Sequence, residues 1–254
     1  MLIEGQQVLV TGGASGLGAA TARHFAELGA KVAVLDFDID RARDVAGQIG
    51  GVAVKVDVSD ECAASAAIDK ATNELGSTPR IVVNCAGIGT AARIVGREGK
   101  LSIDSFEKTL RVNLFGTYNV MSHAARRITA LEPLKDGERG VIINTSSVAY
   151  QDGQLGQSAY AASKGAIASL CLPAAREFAQ FGIRVMAIAP GLFHTPMMEG
   201  LPEEVTEKVT ANIPFPNRLG EPREYALLAE HIVTNPFLNG NTIRLDGAVR
   251  LPPR

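Results

Sequence analysis

Short runs that are apolar at every position, separated by longer helical stretches, constrain this chain more than any other feature. Val32-Ala33-Val34-Leu35 and Ile81-Val82-Val83 have no polar face. Such runs are strands only if helices cover both sides, which is the situation of a parallel sheet. The order is regular: Gln7–Thr11 then Gly16–Leu28, Lys31–Asp36 then Asp40–Ile49, Val52–Val56 then Asp60–Leu75, Arg80–Asn84 then a helix beginning near Asp104. It continues with Gly140–Thr145, a helix over Ser158–Gln180, Ile183–Ala189, a helix over Glu221–Thr234 and a last strand at Thr242–Leu245. This rhythm predicts an α/β fold, a doubly wound parallel sheet of about seven strands with helices on both faces. No repeat or composition break divides the chain, so residues 1–254 read as one domain.

The first strand-to-helix turn is Thr11-Gly12-Gly13-Ala14-Ser15-Gly16-Leu17-Gly18. Backbone N–H groups and the helix dipole at such a turn face an anion, and glycines remove the Cβ atoms that would keep a pyrophosphate away. No Gly-Lys-Ser/Thr follows, which argues against a nucleotide triphosphatase loop. The second strand ends in Asp36, where a carboxylate accepts hydrogen bonds from an adenosine ribose and repels a 2′-phosphate. These residues point to a Rossmann-type site for NAD rather than NADP.

Two more strands end in polar residues, Asn84-Cys85-Ala86-Gly87 and Asn144-Thr145-Ser146-Ser147. They are followed by Tyr160-Ala161-Ala162-Ser163-Lys164. Tyr and Lys four apart share a helix face, so the ammonium lies close to the phenol and is expected to bring its pKa down toward the range of a general acid/base. Ser147 is placed to share the reacting oxygen. In isolation a Tyr-x-x-x-Lys pair is usually a solvated helix face; joined to the glycine turn, Asp36 and Ser147 it points to dinucleotide-dependent chemistry.

The combination resembles the short-chain dehydrogenase/reductase family over essentially the whole chain. The matching pieces are the glycine turn, Asp57-Val58, Asn84-Cys85-Ala86-Gly87, Asn113, Ser147, Tyr160-x-x-x-Lys164 and Pro190-Gly191. The resemblance implies a catalytic tetrad of Asn113, Ser147, Tyr160 and Lys164. It implies cofactor contacts from Gly12, Ser15, Gly16, Leu17, Gly18, Asp36, Asp57, Val58, Cys85, Ala86, Gly87, Tyr160, Lys164, Pro190, Gly191, Phe193 and Thr195. Asn113 would hold a water that links Lys164 to solvent. Position 85 departs from the commonest pattern, Asn-Asn-Ala-Gly, because a thiol cannot reproduce an amide's hydrogen bonds. Within the family, segments such as Gly182-Ile183-Arg184-Val185-Met186, Pro214-Phe215-Pro216 and Asn235-Pro236-Phe237-Leu238-Asn239-Gly240 are similar to the type 2 3-hydroxyacyl-CoA dehydrogenases. That group also acts on hydroxysteroids and branched thioesters. The similarity implies NAD, a homotetramer and oxidation of a 3-hydroxyacyl-CoA, straight or branched, to the 3-oxo thioester with Tyr160 as general base. Alternatives are a hydroxysteroid dehydrogenase, a 3-oxoacyl-carrier-protein or other carbonyl reductase, and a dinucleotide-binding protein without turnover.

Three stretches, Gly89–Ile103, Leu131–Arg139 and Leu192–Leu219, are longer than simple connections, and the first and third follow strands. Leu192–Leu219 carries Phe193, Met197, Met198, Leu201, Val205, Ile213 and Phe215 and is expected to close over an apolar substrate. Arg93, Arg97 and Lys100 are candidates for a CoA phosphate, with solvated loop charges as the commoner alternative. His24, His123, His194 and His231 show no metal-ligand spacing and read as surface or interface residues. Cys62 and Cys171 read as small packing residues, and a kink is expected at Pro173. Lys+Arg total 25 against 27 Asp+Glu, with no long run of one sign, so nothing suggests a nucleic-acid partner. Three scattered cysteines, no export leader at the start of the sequence and no long apolar segment suit a cytoplasmic protein acting on a small molecule away from membranes.

Overall fold

The computed structural model describes residues 1–199 and 210–253. Its strands are β1 (Gln7–Thr11), β2 (Lys31–Asp36), β3 (Val52–Lys55), β4 (Ile81–Asn84), β5 (Gly140–Thr145), β6 (Ile183–Pro190) and β7 (Thr242–Leu245). They form one seven-stranded sheet in the order β3-β2-β1-β4-β5-β6-β7, and all its pairings are parallel. Winding reverses between β1 and β4, which opens a crevice beyond the carboxyl ends of those strands.

The helices are α1 (Gly16–Glu27), α2 (Ile39–Ile49), α3 (Glu61–Leu75), α4 (Ile103–Leu110), α5 (Gly116–Ile128), α6 (Ala149–Asp152), α7 (Ser158–Ala179), α8 (Pro196–Glu199) and α9 (Pro222–Thr234). Because side chains alternate along a strand, each strand feeds two cores. Leu9, Leu35, Val82, Ile142 and Val185 pack under α3, α5 and α7, against Ile68, Met121 and Cys171. Val8, Val34, Val83, Ile143 and Ile188 pack under α1, α2 and α9, against Phe25, Val45 and Tyr225. Asp38 and Asp60 cap α2 and α3, their side chains accepting from Arg41 N and Ala63 N.

Helices α4 and α5 are joined by a π-helical turn, Arg111–Phe115. The wider turn carries Asn113 inward, and Thr117 Oγ1 donates to the Asn113 carbonyl at 2.7 Å. Helix α7 passes through Pro173 as one element, so no break separates Tyr160 and Lys164 from the rest of the helix.

At the amino ends of β5 and β6 lies a buried ionic cluster. Arg184 Nε donates to Glu138 Oε1 at 2.8 Å, and its Nη atoms reach the carbonyls of Ile232, Val233 and Leu238. The stretch 131–139 belongs to this edge, tied by Arg139 N to Gly182 O at 2.7 Å. Its length therefore serves the closure of the sheet, at the edge opposite the crevice.

Candidate active site

The glycine turn is shaped by contacts that leave no space for side chains. Gly12 has φ +63°, and a Cβ there would come within 2.8 Å of the Ala86 backbone. A Cβ on Gly18 would strike the Gly12 carbonyl. These two glycines let α1, the turn and the Cys85-Ala86-Gly87 segment close on one another. Ser15 stands at the N-cap of α1 but makes no side-chain cap hydrogen bond, and the first turn has no acidic residue. The leading N–H groups of α1 thus face the crevice without an internal partner of the kind Asp38 and Asp60 supply to α2 and α3.

Asp36 reaches this turn from β2. Its Oδ2 accepts from Ala14 N at 3.0 Å and its Oδ1 from Asp38 N at 3.0 Å, which aims the half-buried carboxylate along the crevice rim. Thr195 packs its Cγ2 near Gly16, so the chain after β6 borders the same turn. Val58 is buried under Gly116 and gives its carbonyl to Asn119 Nδ2 at 3.0 Å, while the exposed Asp57 closes its own turn by accepting from Ser59. Pro190 ends β6, and Gly191 lies against Asp246. Leu17, Ala86 and Gly87 complete the rim from α1 and from the segment after β4.

The reactive side chains gather at the carboxyl ends of β4 and β5. Thr11, Asn84 and Asn144 form a buried polar ladder across three strand ends, with Asn84 Nδ2 donating to Asn144 Oδ1 at 2.9 Å. Ser147 Oγ accepts from Ala149 N at 3.2 Å, and its hydroxyl draws the Tyr160 phenol pKa downward. Lys164 is buried, its Nζ donating to the Thr145 carbonyl at 2.8 Å and lying 5.7 Å from the Tyr160 ring centre. A Cβ on Gly87 would sit 3.2 Å from Asn113 Oδ1 and 3.5 Å from Lys164 Nζ, so the turn after β4, the π-turn and α7 meet at one point. Asn113 Nδ2 donates to Ile88 O at 3.0 Å and Ser163 Oγ at 3.1 Å, and Oδ1 accepts from Ile88 N at 2.8 Å. Both amide hydrogens are committed, which leaves one Oδ1 lone pair for a water.

Burial dominates the ionisation of the site. Desolvation lowers the Lys164 pKa to about 8. It also raises the Tyr160 phenol, with the Ser147 hydrogen bond acting the other way. This reverses the downward shift expected from the Tyr-Lys spacing: the ammonium is committed to the Thr145 carbonyl, and loss of water outweighs it.

Several other expectations change. Phe193 is buried, with its ring against Gly220, while Phe215 is 83% exposed; Ile213 and Met198 pack at the base of the segment. Residues 201 and 205, and the side chain of Met197, lie outside what the structure describes. Arg93, Arg97 and Lys100 are exposed. A groove of about 560 Å³ runs beside α7, lined by Arg93, Ile94, the backbone turn 153–158 and Ala161, the neighbour of Tyr160. His24 is buried rather than superficial, its Nε2 2.6 Å from Glu230, because α1 packs closely on α9. Cys62 is exposed rather than packed, since it follows the cap of α3 on the outer side. The spacing argument did not single out Thr145, Ser163 or Tyr225; their roles come from contacts between distant segments, which periodicity does not show.

A family model described as short chain dehydrogenase matches residues 6–206. The chain belongs to the short-chain dehydrogenase family. It is 46% identical over 256 residues to the 3-hydroxyacyl-CoA dehydrogenase type-2 of Drosophila melanogaster, covering 99% of this chain and 100% of that one. A crystal structure of 3-hydroxyacyl-CoA dehydrogenase type-2 from Mycobacterium avium aligns with a TM-score of 0.93 and 41% identity, covering 100% and 98% of the two chains. A 7α-hydroxysteroid dehydrogenase in complex with NADH and 7-oxo glycochenodeoxycholic acid aligns at 0.89 and 26%, covering 99% and 97%. As a short-chain dehydrogenase the chain is an oxidoreductase served by a nicotinamide dinucleotide. The open α1 terminus, the crowded glycines and the Asp36 carboxylate fit that group. Among the described residues no helix is long and apolar enough to cross a membrane, and no cluster of His, Cys, Asp and Glu is arranged to hold a metal.

Proposed function

We propose that this short-chain dehydrogenase oxidises a 3-hydroxyacyl-CoA to the 3-oxoacyl thioester with NAD, and runs the reverse reduction when NADH is supplied. The observation that carries the chemistry is the Tyr160 phenol with the Lys164 ammonium 5.7 Å from its ring centre and held there by the Thr145 carbonyl, and with Ser147 two residues beyond that carbonyl on the same strand end. A nicotinamide dinucleotide held by these residues would supply the hydride acceptor for the carbinol carbon. Tyr160 takes the substrate hydroxyl proton, and Ser147 hydrogen-bonds the same oxygen and fixes its distance. Lys164 leaves the Thr145 carbonyl in part to bind the nicotinamide ribose, and its charge favours the phenolate. Asn113 holds Ile88 and Ser163 in place and accepts from the relay water on its remaining lone pair.

Gly12, Ser15, Gly16, Leu17 and Gly18 receive the pyrophosphate, Asp36 the adenosine ribose, and Asp57 and Val58 the adenine side. Cys85, Ala86, Gly87, Pro190, Gly191, Phe193 and Thr195 receive the nicotinamide half. Asp36 supports NAD over NADP, because a 2′-phosphate beside its oriented carboxylate would meet like charge. Segment 192–219 is the substrate loop of a single domain spanning residues 1–254. The exposed apolar side chains Ile103, Phe106, Phe115 and Tyr118 support assembly into a homotetramer. The scattered free cysteines suit a cytoplasmic setting.

Initial rates with acetoacetyl-CoA and NADH, beside NADPH and a ketosteroid, test this reading. Rapid NADH-dependent reduction of the thioester is the expected result. Preference for NADPH would overturn the cofactor assignment, and turnover of the steroid alone would overturn the thioester.

A further inference from the structure

The proton transfer above uses Tyr160, Ser147 and Lys164 and leaves out the polar side chains of three residues behind them, Cys85 among them beyond its place at the nicotinamide half. Cys85 follows β4, Thr145 ends β5, and Tyr225, fully buried, lies in α9. The Tyr225 hydroxyl is 2.7 Å from Thr145 Oγ1. Thr145 Oγ1 is 3.6 Å from Cys85 Sγ, and Cys85 Sγ is 3.7 Å from the Tyr225 hydroxyl. Each group donates once, so the triangle closes in one sense: Tyr225 O–H to Thr145, Thr145 O–H to Cys85, Cys85 S–H to Tyr225. This also accounts for the departure at position 85, where a thiol meets a tyrosine supplied by α9.

The triangle lies toward α9, whereas Lys164 projects from α7 on the other face of the sheet. Thr145 joins them. Its side chain belongs to the triangle, and its carbonyl receives Lys164 Nζ at 2.8 Å. Ser146 adds a second tie, its Oγ donating to the Lys164 carbonyl at 2.8 Å. We propose that the Cys85–Thr145–Tyr225 triangle positions the Lys164 ammonium, by fixing the Thr145 peptide whose carbonyl holds it. Tyr225 is thus a positioning residue acting from the opposite side of the sheet. The proposal rests on reading Lys164 as part of the catalytic machinery.

The titratable groups facing Lys164 are Tyr160 on its own helix and Cys85 beside β4, with Tyr225 of α9 behind Thr145. Burial raises all three above their ordinary pKa values, so each is neutral at neutral pH. The Thr145 carbonyl favours the charged form of Lys164. Loosening it favours the free amine and moves the basic limb of the kcat profile to lower pH.

The test compares wild type, Tyr225→Phe, Thr145→Val and the double variant, with Tyr160→Phe as control. Three quantities are read: the pH dependence of kcat with acetoacetyl-CoA, NADH affinity from its fluorescence, and thermal unfolding by circular dichroism. Each single variant is expected to lower kcat and NADH affinity by about three- to tenfold and to move the basic limb acidward. The double variant is expected to do no more than either single, because both break the same triangle. If Tyr225→Phe does not fold, Thr145→Val decides. A lowered melting temperature with an unmoved pH limb and wild-type NADH affinity would make Tyr225 a core residue only and overturn the proposal. So would single effects that multiply in the double. Full activity of Tyr160→Phe would instead overturn the assignment of the site, and NADH affinity would still judge the triangle.

Discussion

Arg184 on β6 and Lys164 on α7 are both buried cations at strands β5 and β6, and they behave differently because of what faces them. Arg184, at the amino edge, has a carboxylate 2.8 Å away and carbonyls for its remaining donors. Lys164, at the carboxyl edge, has a carbonyl 2.8 Å away and the Tyr160 phenol ring beside it. A buried cation with a matched anion is locked in place. One held by a neutral acceptor has its pKa drawn down to about 8 and can exchange that acceptor for another. The first arrangement suits a clamp and the second a site.

The largest expected effect separates the two edges. Tyr160→Phe removes the transferable proton next to Lys164 and should lower kcat by about 10²–10⁴-fold. NADH affinity and melting temperature should stay near wild type, as fluorescence titration and calorimetry would show. Glu138→Gln is the counterpart at the other edge. It leaves the Arg184 charge buried and uncompensated, a loss of about 3–5 kcal/mol of stability. The kcat of protein that remains folded at low temperature should be unchanged. A Glu138→Gln variant with a wild-type melting curve would dissolve the distinction.

The pH dependence of stability sharpens it. Unfolded, Lys164 titrates near 10.5, and folded near 8. Between those values the unfolded chain binds more protons, so stability should rise with pH across the window. The burial penalty is fully present below about pH 8 and is relieved toward 10.5, on the order of 3 kcal/mol in all. Lys164→Met should abolish activity yet stabilise the fold near pH 7, and should flatten this slope in denaturant titrations at several pH values.

How far such differences could be read from sequence depends on distance along the chain. Strands such as Val32–Leu35 and Ile81–Val83 were legible because burial on both faces leaves an unbroken apolar run. Tyr160 and Lys164 were legible because one helical turn fixes their geometry whatever surrounds it. Lys164 and Arg184 were not distinguishable as cations, since Glu138 and Thr145 reach them through tertiary packing. Tyr225 reads as an apolar helix residue until Thr145, 80 positions away, meets its hydroxyl. His24 was misread for the same reason: its burial and its Glu230 partner follow from α1 packing on α9. Ionisation was the least legible, because the expected drop in the Tyr160 pKa followed from a neighbouring charge, and the site as folded is governed by lost water.

Asp36 offers an intermediate case, a carboxylate that no cation pairs among the described contacts and that is oriented by two backbone N–H groups. Asp36→Asn keeps an acceptor for Ala14 N while removing the charge. It should narrow the ratio of NAD to NADP turnover by about tenfold or more, since like charges a few Å apart cost up to about 4 kcal/mol at an effective dielectric near 20 before screening. An unchanged ratio would show that the crevice selects its dinucleotide by contacts elsewhere.

Arg93 completes the series as an exposed cation with no ion-pair partner among the described residues. It lies on the rim of the groove beside Ala161, one residue from Tyr160, where a charged thioester handle would pass. Water screens it, so its attraction for a phosphate should resemble an exposed ion pair, about 0.2–1 kcal/mol. Arg93→Ala is therefore expected to raise KM for acetoacetyl-CoA by no more than about fivefold, with kcat unchanged and KM for an uncharged ketone unaffected. The effect should shrink with added salt, because the Debye length falls from about 10 Å at 0.1 M to about 3 Å at 1 M. Equal effects on thioester and uncharged ketone would mean that Arg93 shapes the groove rather than attracts its ligand. The contrast with Lys164 would then rest on burial alone, not on charge placed for a substrate.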